Sequence, residues 1–286
     1  QSSGEIEVRV IVTQDFGTKL MLDESVIVAN SASAMDALQK VATVETNYGG
    51  GFIKSINGIC SRYPKVKGDW FFNVNGMSAK IGALDYKLCN GDIEHWDFHD
   101  WSFHAFVPAI IGDFPQPFSG GYQGKVLPTI IVYDEDFQDI AQDLINKLEK
   151  LGVENIYMAG PKSSTYSKKL SNLILLGSED FELISELNEN YKKLGFYIYF
   201  EDSKVVIFDA QGNRKQRESS CGLIQATQNP WNPKGIGACE NVVWMISGTD
   251  KATVKDAANT LVNHYEGLRY TCAAIIANGE VIKVPQ

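Results

Sequence analysis

Three Asn-Gly pairs fall within residues 49–101: Asn57-Gly58, Asn75-Gly76 and Asn90-Gly91. Both residue types tolerate φ > 0, and each pair stands between short β-rich runs, so each predicts a tight turn between strands. A long helix is thereby excluded from this stretch. Aromatic residues gather in the same place: Tyr48, Phe52, Trp70, Phe71, Phe72, Tyr86, Trp96, Phe98 and Trp101. A small β core needs fewer. The density implies a surface that holds something flat and largely apolar.

Upstream, residues 5–12 alternate as a strand does, Asp15-Phe16-Gly17 turns the chain, and Lys19 to Val28 reads as a strand pair or one extended edge. Asn30-Ser31-Ala32-Ser33 supplies capping residues ahead of a helix on which Met35, Leu38 and Val41 share an apolar face. One helix against a mixed sheet is a β-grasp-like α+β arrangement. It occupies residues 1–104.

These residues resemble the cobalamin-binding β-domain of the transcobalamin and intrinsic-factor family, and most of all its bacterial secreted members. The carriers are Val8-Arg9-Val10-Ile11-Val12, Asp15-Phe16-Gly17, Ala34-Met35-Asp36-Ala37-Leu38, Tyr48-Gly49-Gly50 and Ser55-Ile56-Asn57-Gly58. They continue through Asp69-Trp70-Phe71-Phe72, Val74-Asn75-Gly76, Gly82-Ala83, Asp85-Tyr86, Gly91-Asp92 and Trp96. The resemblance covers about a third of the chain and implies binding of cobalamin or a related corrinoid rather than catalysis.

Residues 105–125 form a Pro/Gly-rich connector. Phe106, Phe114, Phe118 and Tyr122 lie in it, with Phe103 just before, and a flexible linker would be polar. It is expected to pack on its neighbours. From residue 126 to 286, strand-like and helix-like runs alternate, which predicts a layered α/β domain. Helices are expected over the runs beginning Asp136-Phe137, Ser178-Glu179-Asp180 and Thr249-Asp250, with Gly152 ending the first. A hairpin or two neighbouring strands are expected at residues 195–212, and a hairpin around Asn278-Gly279. This half resembles the C-terminal region of S-layer-like proteins through Leu175-Leu176-Gly177, Gly222-Leu223-Ile224-Gln225, Asn229-Pro230-Trp231-Asn232-Pro233 and Ile246-Ser247-Gly248-Thr249-Asp250 with Ala257-Ala258. That resemblance implies a setting at the cell surface.

The chain has 286 residues, 44% of them hydrophobic and 21% charged, with a net charge of −9. No basic stripe exists to hold a nucleic acid, and Arg214 to Arg217 is a short solvated run. No apolar run nears the ~18 residues of a membrane span. The chain opens on Gln1-Ser2-Ser3-Gly4 with no initiator methionine, consistent with a removed leader and leaving lipid anchoring open. The expected location is extracytoplasmic, secreted or at the cell surface. Of five cysteines, Cys60 with Cys89 and Cys221 with Cys239 are placed for local disulfides; reduced thiols are an equal alternative.

Motifs of catalysis are missing from the sequence. No GxSxG, GxxxxGK[ST] or GxGxxG occurs, Ser219-Ser220-Cys221 lacks a strand–turn–helix frame, and Asp134, Glu135 and Asp136 are explained by a helix N-terminus. On a strand over residues 93–101, His95, Asp97, His99 and Trp101 share one face, and Trp96 and Phe98 the other. His95 and His99 then stand about 13 Å apart, too far to share one ion.

The candidate ligand-binding residues are Tyr48, Gly49, Gly50, Gly51, Phe52, Ile53, Trp70, Phe72, Tyr86, Trp96, Phe98, His99, Trp101 and, from the second domain, Trp231. The glycines let a flat ligand approach the backbone, and the aromatics wall it. His99 or His104 is a candidate ligand to corrinoid cobalt; no protein metal site is expected. The ligand is expected between the two domains, and a membrane transporter is an expected partner. The alternative is a structural or adhesive envelope protein without a small ligand.

Overall fold

The computed structural model describes residues 4–286. In the first domain, β1 (Glu5–Gln14) and β2 (Lys19–Ala29) form one long antiparallel pair, so the stretch from Lys19 is a single edge strand. Helix α1 (Ala34–Val41) begins at a capping box: the Ser33 hydroxyl accepts from the Asp36 N–H while Asp36 accepts from the Ser33 N–H. It buries Met35, Ala37 and Leu38. Strands β3 (Val44–Asn47), β4 (Phe52–Ile56) and β5 (Ile59–Cys60) make a small antiparallel sheet. β6 (Gly68–Val74), β7 (Met77–Ser78) and β8 (Ile93–Asp100) join β1 and β2 in a mixed five-stranded sheet of order β2-β1-β8-β6-β7.

Asn57-Gly58 turns β4 into β5, and Asn75-Gly76 turns β6 into β7, each with positive φ at both residues. At Asn90-Gly91 only the glycine has positive φ. That pair makes no hairpin, and Asn90 instead accepts the Glu7 N–H through its side chain.

The second domain is a three-layered α/β unit. Its seven-stranded sheet uses β9 (Thr129–Tyr133), β10 (Ile156–Ala159), β11 (Asn172–Leu176), β15 (Gly222–Gln228), β16 (Val242–Gly248), β17 (Ala273–Ala277) and β18 (Glu280–Val284), in the order β10-β9-β11-β16-β15-β17-β18. The first four of that order are parallel and the rest antiparallel. Helices α2 (Gln138–Lys150) and α4 (Lys251–Asn263) share one core with Ile131, Trp244 and Ile246. Helix α3 (Glu182–Glu189) and a sheet of β12 (Ile198–Glu201), β13 (Lys204–Phe208) and β14 (Arg214–Gln216) share the other with Ile130, Val243 and Met245. The alternation of these sheet residues divides the two layers.

Two sequence expectations change here. α3 starts at Glu182, four residues after Ser178. β15 escapes a periodicity reading because it is buried on both faces and carries Gln225, Thr227 and Gln228 inside.

The connector packs as expected and joins the two domains into one continuous core. Phe118 is fully buried with its ring 5.3 Å from Trp244, and Tyr122 stands 5.1 Å from Tyr86. Phe106 stays exposed. At the seam the backbones touch. A Cβ on Gly112 would lie 2.2 Å from the Thr271 nitrogen, so only glycine allows this approach. All five cysteines are free; neither suggested disulfide forms. Among the described residues no helix is long and apolar enough to cross a membrane.

Candidate functional site

Strand β8 is buried on both faces, and its alternation makes two different surfaces. Register pairs Phe72 with Trp96 and Trp70 with Phe98, so these four rings project to one side. Asp69, Phe71 and Asn73, paired with His99, Asp97 and His95, project to the other.

The first surface forms one wall of an open groove of about 340 Å³. Phe72 stacks on Trp96 with ring centroids 4.7 Å apart. The Trp70 indole N–H donates to the Ile59 carbonyl at 2.8 Å, which fixes the ring and ties β5 to β6. The Trp96 indole N–H donates to Glu94 at 2.6 Å. Complete burial drives the Glu94 carboxyl well above its usual range, against the opposing indole hydrogen bond from Trp96. Gly51, Phe52 and Ile53 at the start of β4 form a second side, and residues 78–83 with Met35 form the third. Lys80 is a charged group at the edge, and Asp69, although its side of β6 is the opposite face, also borders the groove. Aromatic rings thus share the groove with the 78–83 segment, where Ile81 and Gly82 are at least partly open to solvent. That combination suits a flat apolar ring bordered by amide groups.

Of the candidate residues, Gly51, Phe52, Ile53, Trp70, Phe72 and Trp96 meet in this groove. Tyr48, Gly49 and Gly50 form the adjoining turn outside its lining, with Tyr48 91% exposed. Tyr86 is core, 0% exposed, and edge-on to Phe72. Phe98 is buried edge-on against Trp70. Trp101 lies one residue past the end of β8, outside the groove lining, and stacks on Tyr63. Trp231 lies in a separate groove beside α3. This groove is not shared by the two domains: every lining residue falls within 35–96.

The second domain instead props the groove from behind. The Cys239 thiol donates to the Ser78 carbonyl at 3.0 Å, and Lys80 donates to the Ala238 carbonyl at 3.0 Å. The sequence reading missed Met35, Phe71 and most of the 78–83 wall. Gly82-Ala83 carried part of the resemblance, and was the available signal.

His99 and His104 are also placed away from the groove. His99 belongs to the opposite surface, sandwiched between Phe16 at 4.0 Å and Phe71 at 4.1 Å. His104 bonds the Phe196 carbonyl at 2.8 Å, and burial pushes its pKa down. Around His99 runs a polar network that sequence reasoning did not anticipate. Asp97 accepts from the Thr13 hydroxyl (2.6 Å), the Phe16 and Gly17 N–H groups (both 3.0 Å) and His99 Nδ1 (2.6 Å). Thr13 has one hydrogen, and Asp97 takes it. His95 therefore donates through Nε2 to Thr13 and through Nδ1 to Asp113, both at 2.9 Å, and is an imidazolium. Burial opposes that charge, but the Asp113 carboxylate outweighs it and the His95 pKa is raised. The network closes a seam cavity of about 30 Å³ together with Tyr270 and Cys272. It is too small for anything beyond water.

A protein-family profile described as a domain of unknown function, DUF4430, matches residues 31–100, the stretch that lines the groove. No curated protein matches the chain. Among solved structures, it is similar to haptocorrin in complex with Cbi, at 19% identity over 35% of this chain and 26% of that one, with a TM-score of 0.29. The chain thus spans about a quarter of that haptocorrin chain. A putative metal binding protein from Ruminococcus gnavus ATCC 29149 is similar at 13% identity, covering 33% of this chain and 97% of that one, with a TM-score of 0.27.

Proposed function

We propose that this protein binds cobalamin or a related corrinoid in the groove of its first domain. One observation carries the reading: the Trp70, Phe72 and Trp96 rings, fixed by stacking and indole hydrogen bonds, line one groove with the 78–83 segment. A corrinoid offers a broad ring for the first and peripheral amides for the second. The resemblance of residues 5–101 to the cobalamin-binding β-domain supports the same ligand. The role assigned is capture outside the cytoplasm for delivery to a membrane transporter, with no catalytic step.

No histidine lines the groove among the described residues. Binding then uses the faces and amides of the ring, and neither His99 nor His104 ligates cobalt. Incubation with aquocobalamin followed by desalting should leave the protein coloured, with the absorption bands of the free compound unshifted. Loss of all colour overturns the proposal and favours a structural envelope protein. Retention with a histidine-ligated spectrum would overturn the binding mode alone.

A further inference from the structure

The second domain carries a groove of its own, bounded by α3 and the loop 229–241. It encloses about 380 Å³, and its lining includes Glu186, Asn190, Lys193, Leu194, Trp231 and Ile236. We propose that it is a binding site for neutral pyranose units of a glycan. The proposal stands apart from the corrinoid reading.

The loop is built to present Trp231. Three buried asparagines hold it from beneath. Asn229 donates to the Lys168 carbonyl at 2.7 Å and accepts the Trp231 N–H at 2.8 Å. Asn232 donates to the Asn241 side chain at 2.8 Å, and Asn241 donates to the Ser171 carbonyl at 2.7 Å. Their exposures of 0%, 4% and 2% place them in the interior, away from any ligand. The indole itself is fixed: its N–H donates to Glu186 at 2.7 Å, and the Lys168 ammonium lies 4.9 Å from its centre. Trp231 nevertheless remains partly exposed. Ordering a large aromatic before a ligand arrives removes an entropy cost of binding.

The lining selects the ligand class. Leu194 and Ile236 give apolar lining, and the part-exposed indole adds aromatic surface beside the Lys168 ammonium. The rim mixes the Glu186 carboxylate, the Asn190 amide and the Lys193 ammonium, so acceptors and a donor surround apolar surface. A pyranose has this alternation of C–H faces and hydroxyl edges. An anion would gain one ammonium and meet the Glu186 carboxylate. A cation would find Glu186 already engaged by the indole and, at 4.0 Å, by Lys168.

The test is calorimetric titration of the full chain with maltohexaose, cellohexaose, mannohexaose and chitohexaose. At least one should bind. Trp231→Ala should weaken that binding about tenfold or more, the loss expected for one aromatic contact. Asn190→Ala, on the exposed rim, should weaken it while the far-ultraviolet circular dichroism is kept, although its amide also donates to the Glu186 carbonyl at the end of α3. Cobalamin retention should be unchanged in both variants, which separates this site from the first groove. No heat with any of the four sugars, or equal affinity in wild type and Asn190→Ala, overturns the proposal. Should Trp231→Ala fail to fold, Asn190→Ala and Lys193→Ala decide it.

Discussion

The Cys239 thiol lies 3.0 Å from the carbonyl oxygen of Ser78, so a residue of the second domain bonds the backbone of a groove it does not line. Gln228 strengthens the contact, accepting the Cys239 N–H at 2.8 Å and donating to the Pro108 carbonyl at 3.0 Å. The groove wall is therefore held by two domains although it is formed by one. Each such bond contributes about 0.5–1.5 kcal/mol. Cys239→Ala combined with Gln228→Ala, neither of which lines the groove, should lower corrinoid affinity several-fold while the secondary structure is kept. Calorimetric titration and far-ultraviolet circular dichroism read the two effects. Unchanged affinity would make the second domain a bystander to the groove.

Phe52 and Trp70 separate binding from stability. Phe52 is 57% exposed on β4, whereas Trp70 is 8% exposed and bonded to Ile59. Phe52→Ala should leave the thermal midpoint almost unchanged. It should still weaken corrinoid binding by about tenfold, as expected when roughly 1.5 kcal/mol of apolar contact is lost. Trp70→Ala should lose affinity and about 3–5 kcal/mol of stability together. An equal loss of stability in both variants would place Phe52 in the core.

Stability should form a plateau in pH because of Asp97 and His95. Burial works against the Asp97 charge, but the bonds from His99 and Thr13 outweigh it and hold the folded pKa below the usual carboxylate value. Its contribution is present above that usual value and is lost as pH falls through the lowered one. His95 has the opposite sign. Burial disfavours its charge, Asp113 reverses the balance, and its folded pKa lies above that of a free imidazole. Its contribution is full below the free-imidazole pKa and fades as pH rises through the raised one. Thermal midpoints measured across pH should decline on both sides. Asp113→Asn leaves a buried imidazolium without its partner and should cost about 3 kcal/mol or more at neutral pH. A midpoint indifferent to this substitution would sink the ionic assignment.

Much of this architecture was legible in the sequence. The period of two along β8 placed His95, Asp97 and His99 on one face and Trp96 and Phe98 on the other, as observed. Asn57-Gly58, Asn75-Gly76 and Asn278-Gly279 marked real turns. The groove was half legible. Phe52, Trp70, Phe72 and Trp96 are its walls, but Tyr86 and Phe98 are equally aromatic and are core. Composition cannot divide them, because the division depends on where α1 and the connector cover the sheet. The Thr13–Asp97–His95–Asp113 network was not legible: its members come from residues 13, 95, 97 and 113, and only the parallel pairing of β1 with β8 brings Thr13 beside Asp97.

The last prediction concerns the seam. Gly112 packs against the backbone of Tyr270 and Thr271, where an added Cβ would approach within 2.2–2.6 Å of main-chain atoms. Gly17 meets the same Tyr270, with its added Cβ 1.8 Å from the carbonyl oxygen and with φ +78°. Main-chain atoms of the turn at Tyr270 and of the segment leading into β17 cannot step aside as a flexible side chain does, so the domains must separate to admit a methyl group. Gly112→Ala should cost at least about 1–3 kcal/mol, the range for overpacking. Separation also loosens the Asp113–His95 and Tyr270–Asp23 bonds, at 2.9 and 2.6 Å, that cross the same seam. The single unfolding transition expected of a continuous core should then split in two by scanning calorimetry. Corrinoid affinity should fall with it, because the wall at residues 78–83 loses its support from Cys239. A variant that unfolds in one transition at the wild-type midpoint would show that the seam yields locally, and that the domains do not depend on it.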